Sequence, residues 1–197
     1  MGLLTIIKKQ KLKDREIRCL ILGLDNSGKS TIVNGLLPES VKCNSITPTV
    51  GFQIHSIVVE NGQDGKTYKV NLWDIGGQRT LRPFWDNYFD KTDVLLWCVD
   101  IASSLRFDES FNELRELVMQ DRDRIGYQCK LVVAINKIDL VEQADLEHYA
   151  HDIEQKIEHI LHHGQSVGES SIGHYVLCSG KTGAGIENLA QMIVDRE

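Results

Sequence analysis

Apolar residues along this chain fall into two rhythms. Short continuous or alternating runs read as strands over Ile17–Leu24, Phe52–Glu60, Tyr68–Ile75, Asp93–Ile101, Lys130–Asn136 and His174–Cys178. Val94-Leu95-Leu96-Trp97-Cys98-Val99 and Leu131-Val132-Val133-Ala134-Ile135 are apolar without a break, the pattern of central parallel strands covered on both faces. Between the strands the spacing turns helical. Phe107, Phe111, Leu114 and Val118 mark one helix, Ile153, Ile157, Ile160 and Leu161 a second, and Ile186, Leu189 and Ile193 a last one after the Gly183-Ala184-Gly185 turn. Thr31 to Leu37 reads as a further helix. Phe52–Glu60 and Tyr68–Ile75 have only the turn-rich Asn61-Gly62-Gln63-Asp64-Gly65-Lys66-Thr67 between them, which predicts a hairpin and one antiparallel strand. The whole pattern predicts a doubly wound α/β domain.

Composition narrows this little. A chain of 197 residues suits one domain with a full core. The net charge of -6 gives no hint of a nucleic-acid surface, and no nucleic-acid partner is expected. Five scattered cysteines without a C-x-x-C pair suggest neither a disulfide framework nor a zinc site, and they fit a reducing compartment such as the cytosol. No stretch approaches the roughly 18 apolar residues of a membrane span. Residues 1–16 stand apart as an arm ahead of a domain spanning 17–197. The arm mixes Leu3, Leu4, Ile6, Ile7 and Leu12 with Lys8, Lys9, Lys11, Lys13 and Arg15, a basic amphipathic helix that would dock on the domain or, weakly, on a membrane. Gly2 begins a myristoylation pattern, but the hydroxyl falls one place early, at Thr5, so stable lipid anchoring is not expected.

The chemistry begins after the first strand. Gly23-Leu24-Asp25-Asn26-Ser27-Gly28-Lys29-Ser30 fits G-x-x-x-x-G-K-[ST] in the strand–loop–helix context that the motif requires. Glycines at Gly23 and Gly28 let the backbone pass close to a ligand's phosphates, with N–H groups turned inward as an anion nest. The helix beyond adds its unpaired N–H groups and positive dipole end. Lys29 would reach the β- and γ-phosphates, and Ser30 would offer its hydroxyl to Mg2+.

Three further segments specify the nucleotide and its use. Asn136-Lys137-Ile138-Asp139 lies at the end of a buried strand, where α/β folds bind ligands. The Asp139 carboxylate would accept from guanine's N1–H and 2-amino group; adenine has no such pair, so it would be rejected. Asp74-Ile75-Gly76-Gly77-Gln78 follows another strand. Asp74 would hold Mg2+ through water, Gly77 would offer its N–H to the γ-phosphate, and Gln78 would orient the attacking water. Thr49, after Pro48, would give its hydroxyl to Mg2+ and its N–H to the same phosphate. Both segments would then be ordered by contacts that hydrolysis destroys.

These motifs, with Gly23-Leu24-Asp25 opening the loop, Pro48-Thr49-Val50-Gly51-Phe52, Trp73-Asp74-Ile75-Gly76-Gly77-Gln78 and Leu81-Arg82-Pro83-Phe84-Trp85 with Tyr88-Phe89, resemble an ADP-ribosylation-factor-like (Arf-like) small GTPase over essentially the full length. The opening residues and the phosphate loop are most similar to the branch that works with tubulin-folding cofactors, especially its fungal members. The resemblance implies a six-stranded mixed sheet flanked by helices, with a hairpin that slides in register between the GDP and GTP states. It implies GTP/GDP and Mg2+ as ligands. The GTP-binding residues would be Gly23, Leu24, Asp25, Asn26, Ser27, Gly28, Lys29, Ser30, Thr31, Thr49, Gly77, Asn136, Lys137, Asp139, Ser179, Gly180 and Lys181. Gln78 and Lys29 would serve catalysis, and Ser30, Thr49 and Asp74 the metal. Phe52, Trp73 and Tyr88 would form an apolar patch read by effectors; the plainer reading is half-buried sheet aromatics. Two departures stand out. The hairpin connector is longer than usual, and Gly180 stands where relatives often have alanine, which suggests a looser loop beside the base.

Asn44-Ser45-Ile46-Thr47, ahead of Thr49, contains no arginine. Arginine fingers are worth about 10^3 to 10^5 in rate, so slow hydrolysis dependent on a GTPase-activating protein is expected. Arg79 and Arg82 follow Gln78, where surface contacts are expected of them. The histidines at 148, 151, 159, 162 and 163 fall on the polar side of a helix and read as solvated. The leading expectation is a cytoplasmic, microtubule-associated switch regulating tubulin folding. Its alternatives are an Arf-type membrane-trafficking GTPase and a nucleotide-dependent scaffold with little hydrolysis. A metabolic P-loop kinase would need a phosphoacceptor pocket, for which no stretch is a candidate.

Overall fold

The computed structural model describes residues 15–120, 129–162 and 174–195. The arm, with Gly2 and all but two of its residues, lies outside them. The elements in chain order are β1 (Glu16–Leu22), α1 (Lys29–Leu36), β2 (Phe52–Glu60), β3 (Thr67–Ile75), β4 (Val94–Asp100), α2 (Phe107–Gln120), β5 (Lys130–Asn136), α3 (Gln143–His162), β6 (His174–Leu177) and α4 (Ile186–Val194). Short 3-10 turns occupy Glu39–Val41, Arg82–Tyr88, Ser104–Arg106 and Ile138–Leu140. The six strands form one sheet in the order β2-β3-β1-β4-β5-β6. Every neighbouring pair is parallel except β2 with β3, whose antiparallel register runs from Phe52↔Ile75 to Glu60↔Thr67. This is the expected mixed, doubly wound sheet.

The uninterrupted apolar strands sit at its centre, and their alternate residues serve two cores. Leu95, Trp97 and Val99 of β4 face α2 and α3 with Phe111, Leu114, Ile153 and Ile157. Leu96 and Cys98 face α1 and α4 with Ile32, Val33, Leu189 and Ile193. Each buried Val, Leu, Ile or Phe among them contributes about 1.5–3 kcal/mol. Two tryptophans tie the segment after β3 to this core. Trp85 and Trp97 meet edge to face at 5.7 Å. Their indole N–H groups donate to the Gly76 carbonyl and the Ser110 hydroxyl, each at 3.1 Å, so neither is left unpaired on burial. Cys19, Cys98, Cys129 and Cys178 are buried thiols, and Cys43 is exposed.

The long hairpin connector is not a free loop. Asn61 is buried and donates through its side chain to the Val194 carbonyl at 3.3 Å. Gln191 of α4 bridges the connector with both ends of its amide: it accepts from Gly62 N–H and donates to the Glu60 carbonyl, each at 2.9 Å. The extra residues therefore fasten the hairpin's far end to α4.

Candidate functional site

β1 ends at Leu22, two residues earlier than the hydrophobic run suggests, because Gly23 turns the chain at φ +141°. A Cβ there would lie 2.4 Å from the Cys98 carbonyl oxygen, so only glycine lets the loop cross β4 this closely. Gly28, at φ +92°, precedes the first residue of α1 and supplies no side-chain cap. The N–H groups of that first turn thus remain available to an anion. Lys29 is buried and reaches back across the loop, donating to the carbonyls of Gly23 at 3.0 Å and Leu24 at 2.8 Å. Burial holds its ammonium below the usual amine range, a cost that nearby Asp74 and Asp25 partly offset.

At the helix start three oxygen-bearing side chains converge, from α1, β3 and the loop before β2. The Ser30 hydroxyl donates to Asp74 Oδ2 at 2.6 Å and lies 2.8 Å from Thr49 Oγ1, which itself donates to Asp74 Oδ2 at 3.1 Å. Asp74 is fully buried, and its Oδ1 has no hydrogen-bond partner among the described residues. Burial raises its pKa, against the opposing hydrogen bond from Ser30 and the charge of Lys29. A buried carboxylate with an orphaned oxygen beside two hydroxyls, and no nitrogen or sulfur donor, suits a hard divalent cation such as Mg2+.

The segments flanking the β2–β3 hairpin both rest on the phosphate loop. Gly76 N–H donates to the Gly51 carbonyl at 2.8 Å. Gly77 is packed so closely on the loop that a Cβ would meet Gly23 O at 2.4 Å and Asp25 N at 2.6 Å. Its carbonyl accepts from Asp25 N–H at 3.1 Å. Gln78, next in the chain, is exposed.

The base end is assembled by Asn136. Its side-chain amide donates to the Ser27 carbonyl at 2.9 Å and accepts from Gly180 N–H at 3.0 Å, joining three loops. Lys137 takes a left-handed backbone (φ +68°) and pairs with Asp100 at 2.8 Å. Asp139 is exposed and accepts from the buried Ser179 hydroxyl at 2.6 Å. Lys181 is exposed, and Thr31 half-buried. The looseness expected at Gly180 is not what its glycine provides. A Cβ there would lie 2.8 Å from Ile32 N and 2.9 Å from Thr31 C, so the missing side chain allows this loop to lie directly on α1.

Phe52, Trp73 and Tyr88 meet as the resemblance implies. Phe52 stacks on Trp73 with ring centroids 6.0 Å apart and tilts against Tyr88 at 5.6 Å. Trp73 and Tyr88 are half-buried, while Phe52 is 49 % exposed beside exposed Val50 and Ile54. The Arg18 guanidinium lies over the Trp73 ring, 3.7 Å from its centre, and helps to hold it. His148, His151 and His159 are exposed, and His163 lies outside the described residues; among the described residues no group of three His, Cys, Asp or Glu is placed to hold a metal ion.

Arg82 departs from expectation. Its side chain is 5 % exposed, not a surface group, and it pairs with Asp25, Glu109 and Glu113. Arg106 pairs with the same Asp25 at 2.9 Å and with Glu109 at 3.0 Å. The position of Arg82, four residues after Gln78, was visible in the sequence. Its acidic partners come from the phosphate loop and from a distant helix, and only the fold brings them there.

A phosphate loop, a buried carboxylate with two hydroxyls beside it, and an Asn-Lys-x-Asp strand end on a doubly wound sheet define a P-loop GTPase. The ADP-ribosylation factor family profile matches residues 3–196. The chain belongs to that family, and as one of its small GTPases it binds guanine nucleotide and hydrolyses GTP. It is 50 % identical over 140 residues to the ADP-ribosylation factor-like protein alp41 of Schizosaccharomyces pombe, covering 71 % of this chain and 69 % of that one. It is 36 % identical to ADP-ribosylation factor-like protein 2 of Dictyostelium discoideum, over 98 % of this chain and 94 % of the relative. With ADP-ribosylation factor-like protein 3 of Chlamydomonas reinhardtii it shares 47 % identity over 72 % and 73 % of the two chains. Among solved structures, the Arl6 BBS3 small GTPase of Trypanosoma brucei with bound GppNp superposes with a TM-score of 0.66 at 22 % identity, covering 91 % of this chain and 97 % of that one, which reflects the shared fold.

Proposed function

We propose that this chain is a GTP-dependent switch with slow, partner-stimulated hydrolysis that acts in the cytoplasm on tubulin folding and microtubule function. The carrying observation is that Thr49 and Gly77, on opposite flanks of one hairpin, are both seated at the phosphate loop. A γ-phosphate held there would be read by both flanks at once, and its loss would release both. Ser30, Thr49 and Asp74 would hold Mg2+, which neutralises charge on the β- and γ-phosphates. Lys29 and the N–H groups that open α1 would bind the phosphates. Asp139 would select guanine, and Asn136 would brace the loops around it.

Gln78 would orient the attacking water. Slow turnover is supported by what surrounds that residue. Residues 44–47 bring no arginine, Arg82 is engaged by three carboxylates, and Arg79 is exposed. A partner that inserts a cation would supply the missing charge. The exposed Phe52 edge over Trp73 and Tyr88 would be the surface read by effectors, since it adjoins the segment that carries Thr49.

The tubulin role rests on similarity to the Arf-like relatives and is the part most in need of a direct test. Purified tubulin-folding cofactors and tubulin are offered to the Gln78→Leu form loaded with GTP and to the GDP-loaded wild type. Retention on the GTP form alone is expected. Retention on neither form would refute the tubulin role. Recovery of the native protein with membranes would favour a trafficking role instead.

A further inference from the structure

Among the described residues, Arg82 is the most buried charged residue outside the phosphate loop and the Asp74 cluster, and each nitrogen of its guanidinium is used. Nε donates to the Gly77 carbonyl at 3.1 Å. Nη1 donates to Glu109 at 2.9 Å and to Glu113 at 2.8 Å, both on α2. Nη2 donates to Asp25 of the phosphate loop at 3.3 Å. Asp25 in turn donates through its own backbone to the same Gly77 carbonyl. That one oxygen is therefore held by two donors, one from the phosphate loop and one from a side chain anchored on α2.

The consequence follows from peptide geometry. The Gly77 carbonyl shares a rigid plane with the nitrogen and Cα of Gln78. Fixing the oxygen from two directions fixes that plane, and with it the position of the Gln78 Cα and the direction of the N–Cα bond about which its side chain is set. Gln78 is itself exposed, so its own packing does little to hold it. A guanidinium suits the task because its donors form a rigid planar fork; an ammonium at the same place lacks the Nε–H and the fixed directions.

We propose that Arg82 is a positioning residue for GTP hydrolysis, acting through the Gly77–Gln78 peptide to hold Gln78 against the attacking water. The inference rests on the reading that Gln78 orients that water. In the step concerned, the water oxygen bonds to the γ-phosphorus as the bond from that phosphorus to the β–γ bridging oxygen breaks. GDP leaves with the electron pair, one water proton stays on the released inorganic phosphate, and the other passes to solvent. Arg82 touches none of the reacting atoms.

The test is single-turnover hydrolysis of GTP preloaded with Mg2+ on the full chain, in the wild type, Arg82→Lys, Gln78→Leu and the double variant. Arg82→Lys should slow hydrolysis about tenfold or more, the scale of effect for a small misplacement of a catalytic group. GDP dissociation should stay within about twofold of wild type, a split that a merely structural role would not give. In the Gln78→Leu background the same change should add less than about twofold, because the residue through which Arg82 acts is gone. If Arg82→Lys does not fold, the Glu109→Gln/Glu113→Gln double variant loosens the same anchor and enters the same cycle. A wild-type rate in Arg82→Lys, or an equal loss in both backgrounds, overturns the proposal. A Gln78→Leu form that hydrolyses GTP as fast as wild type would instead remove the reading of Gln78 on which it rests.

Discussion

Replacing Gly77 with alanine gives the sharpest test of how the segment after β3 is seated. The added Cβ would stand 2.4 Å from Gly23 O, 2.5 Å from Leu24 C and 2.6 Å from Asp25 N. All three are backbone atoms of the phosphate loop, so no side chain can swing aside. Ordinary carbon contacts lie at about 3.5–4.0 Å, so the segment must retreat by roughly 1 Å. The hydrogen bonds from Asp25 N–H and Arg82 Nε–H to the Gly77 carbonyl, both 3.1 Å long, would then exceed bonding distance. A neutral hydrogen bond contributes about 0.5–1.5 kcal/mol net and one to a charged group about 1.5–3, so about 2–4 kcal/mol of the seated arrangement is lost. At 1.4 kcal/mol per tenfold, that is about 30- to 700-fold in its population. The assay is equilibrium competition of GppNHp and of GDP against a fluorescent guanine nucleotide. GppNHp affinity of Gly77→Ala should fall by that factor, while GDP affinity changes by less than about threefold. An unchanged GppNHp affinity would show that the triphosphate state does not need this close approach.

Three other outcomes are expected. Gly180→Ala places a methyl group on the backbone of Thr31 and Ile32, and overpacking of this kind costs about 1–3 kcal/mol; GDP should dissociate about tenfold faster, and an unchanged rate would contradict the close packing on α1. Gln191→Ala removes both hydrogen bonds that fasten the hairpin connector to α4, at about 1 kcal/mol in this exposed setting, and should lower the thermal midpoint of the GDP form by about 2–4 °C; an unchanged midpoint would mean the connector is not held there. The Arg106 guanidinium, by hydrogen bonding first of all, keeps Asp25 and Glu109 below the usual carboxylate range. Because these folded values are depressed, the stabilisation is complete above the unfolded values of about 4 and is lost as pH falls through the folded ones. The difference in thermal midpoint between wild type and Arg106→Gln should therefore be largest near pH 6 and shrink towards pH 3, whereas a constant gap would exclude ion pairing as its source.

The strands were legible because strongly apolar runs such as Leu95–Val99 leave little choice but a sheet interior, and the hairpin because its connector carries two glycines beside Asn61 and Asp64. The phosphate loop, Thr49, Asp74 and Asn136-Lys137-Ile138-Asp139 were legible because motif residues sit at fixed offsets from strand ends. Contacts between residues far apart in the chain were not. The burial of Arg82 depends on Glu109 and Glu113, 27 and 31 residues downstream, arriving from α2. Gly180 read as a point of flexibility because its nearest neighbours, Thr31 and Ile32, are remote in sequence. The connector's extra length was visible, but its attachment to α4 depends on Gln191, which in sequence is one polar residue on an amphipathic helix.

The claim that the segments around Thr49 and Gly77 are the moving parts of a GTP switch is tested most directly by amide hydrogen exchange on the chain loaded with GppNHp and with GDP. The expected result is protection of peptides covering residues 47–51 and 76–82 in the GppNHp form, with β4 and β5 exchanging alike in both. Equal exchange of those two segments in the two nucleotide states would contradict it.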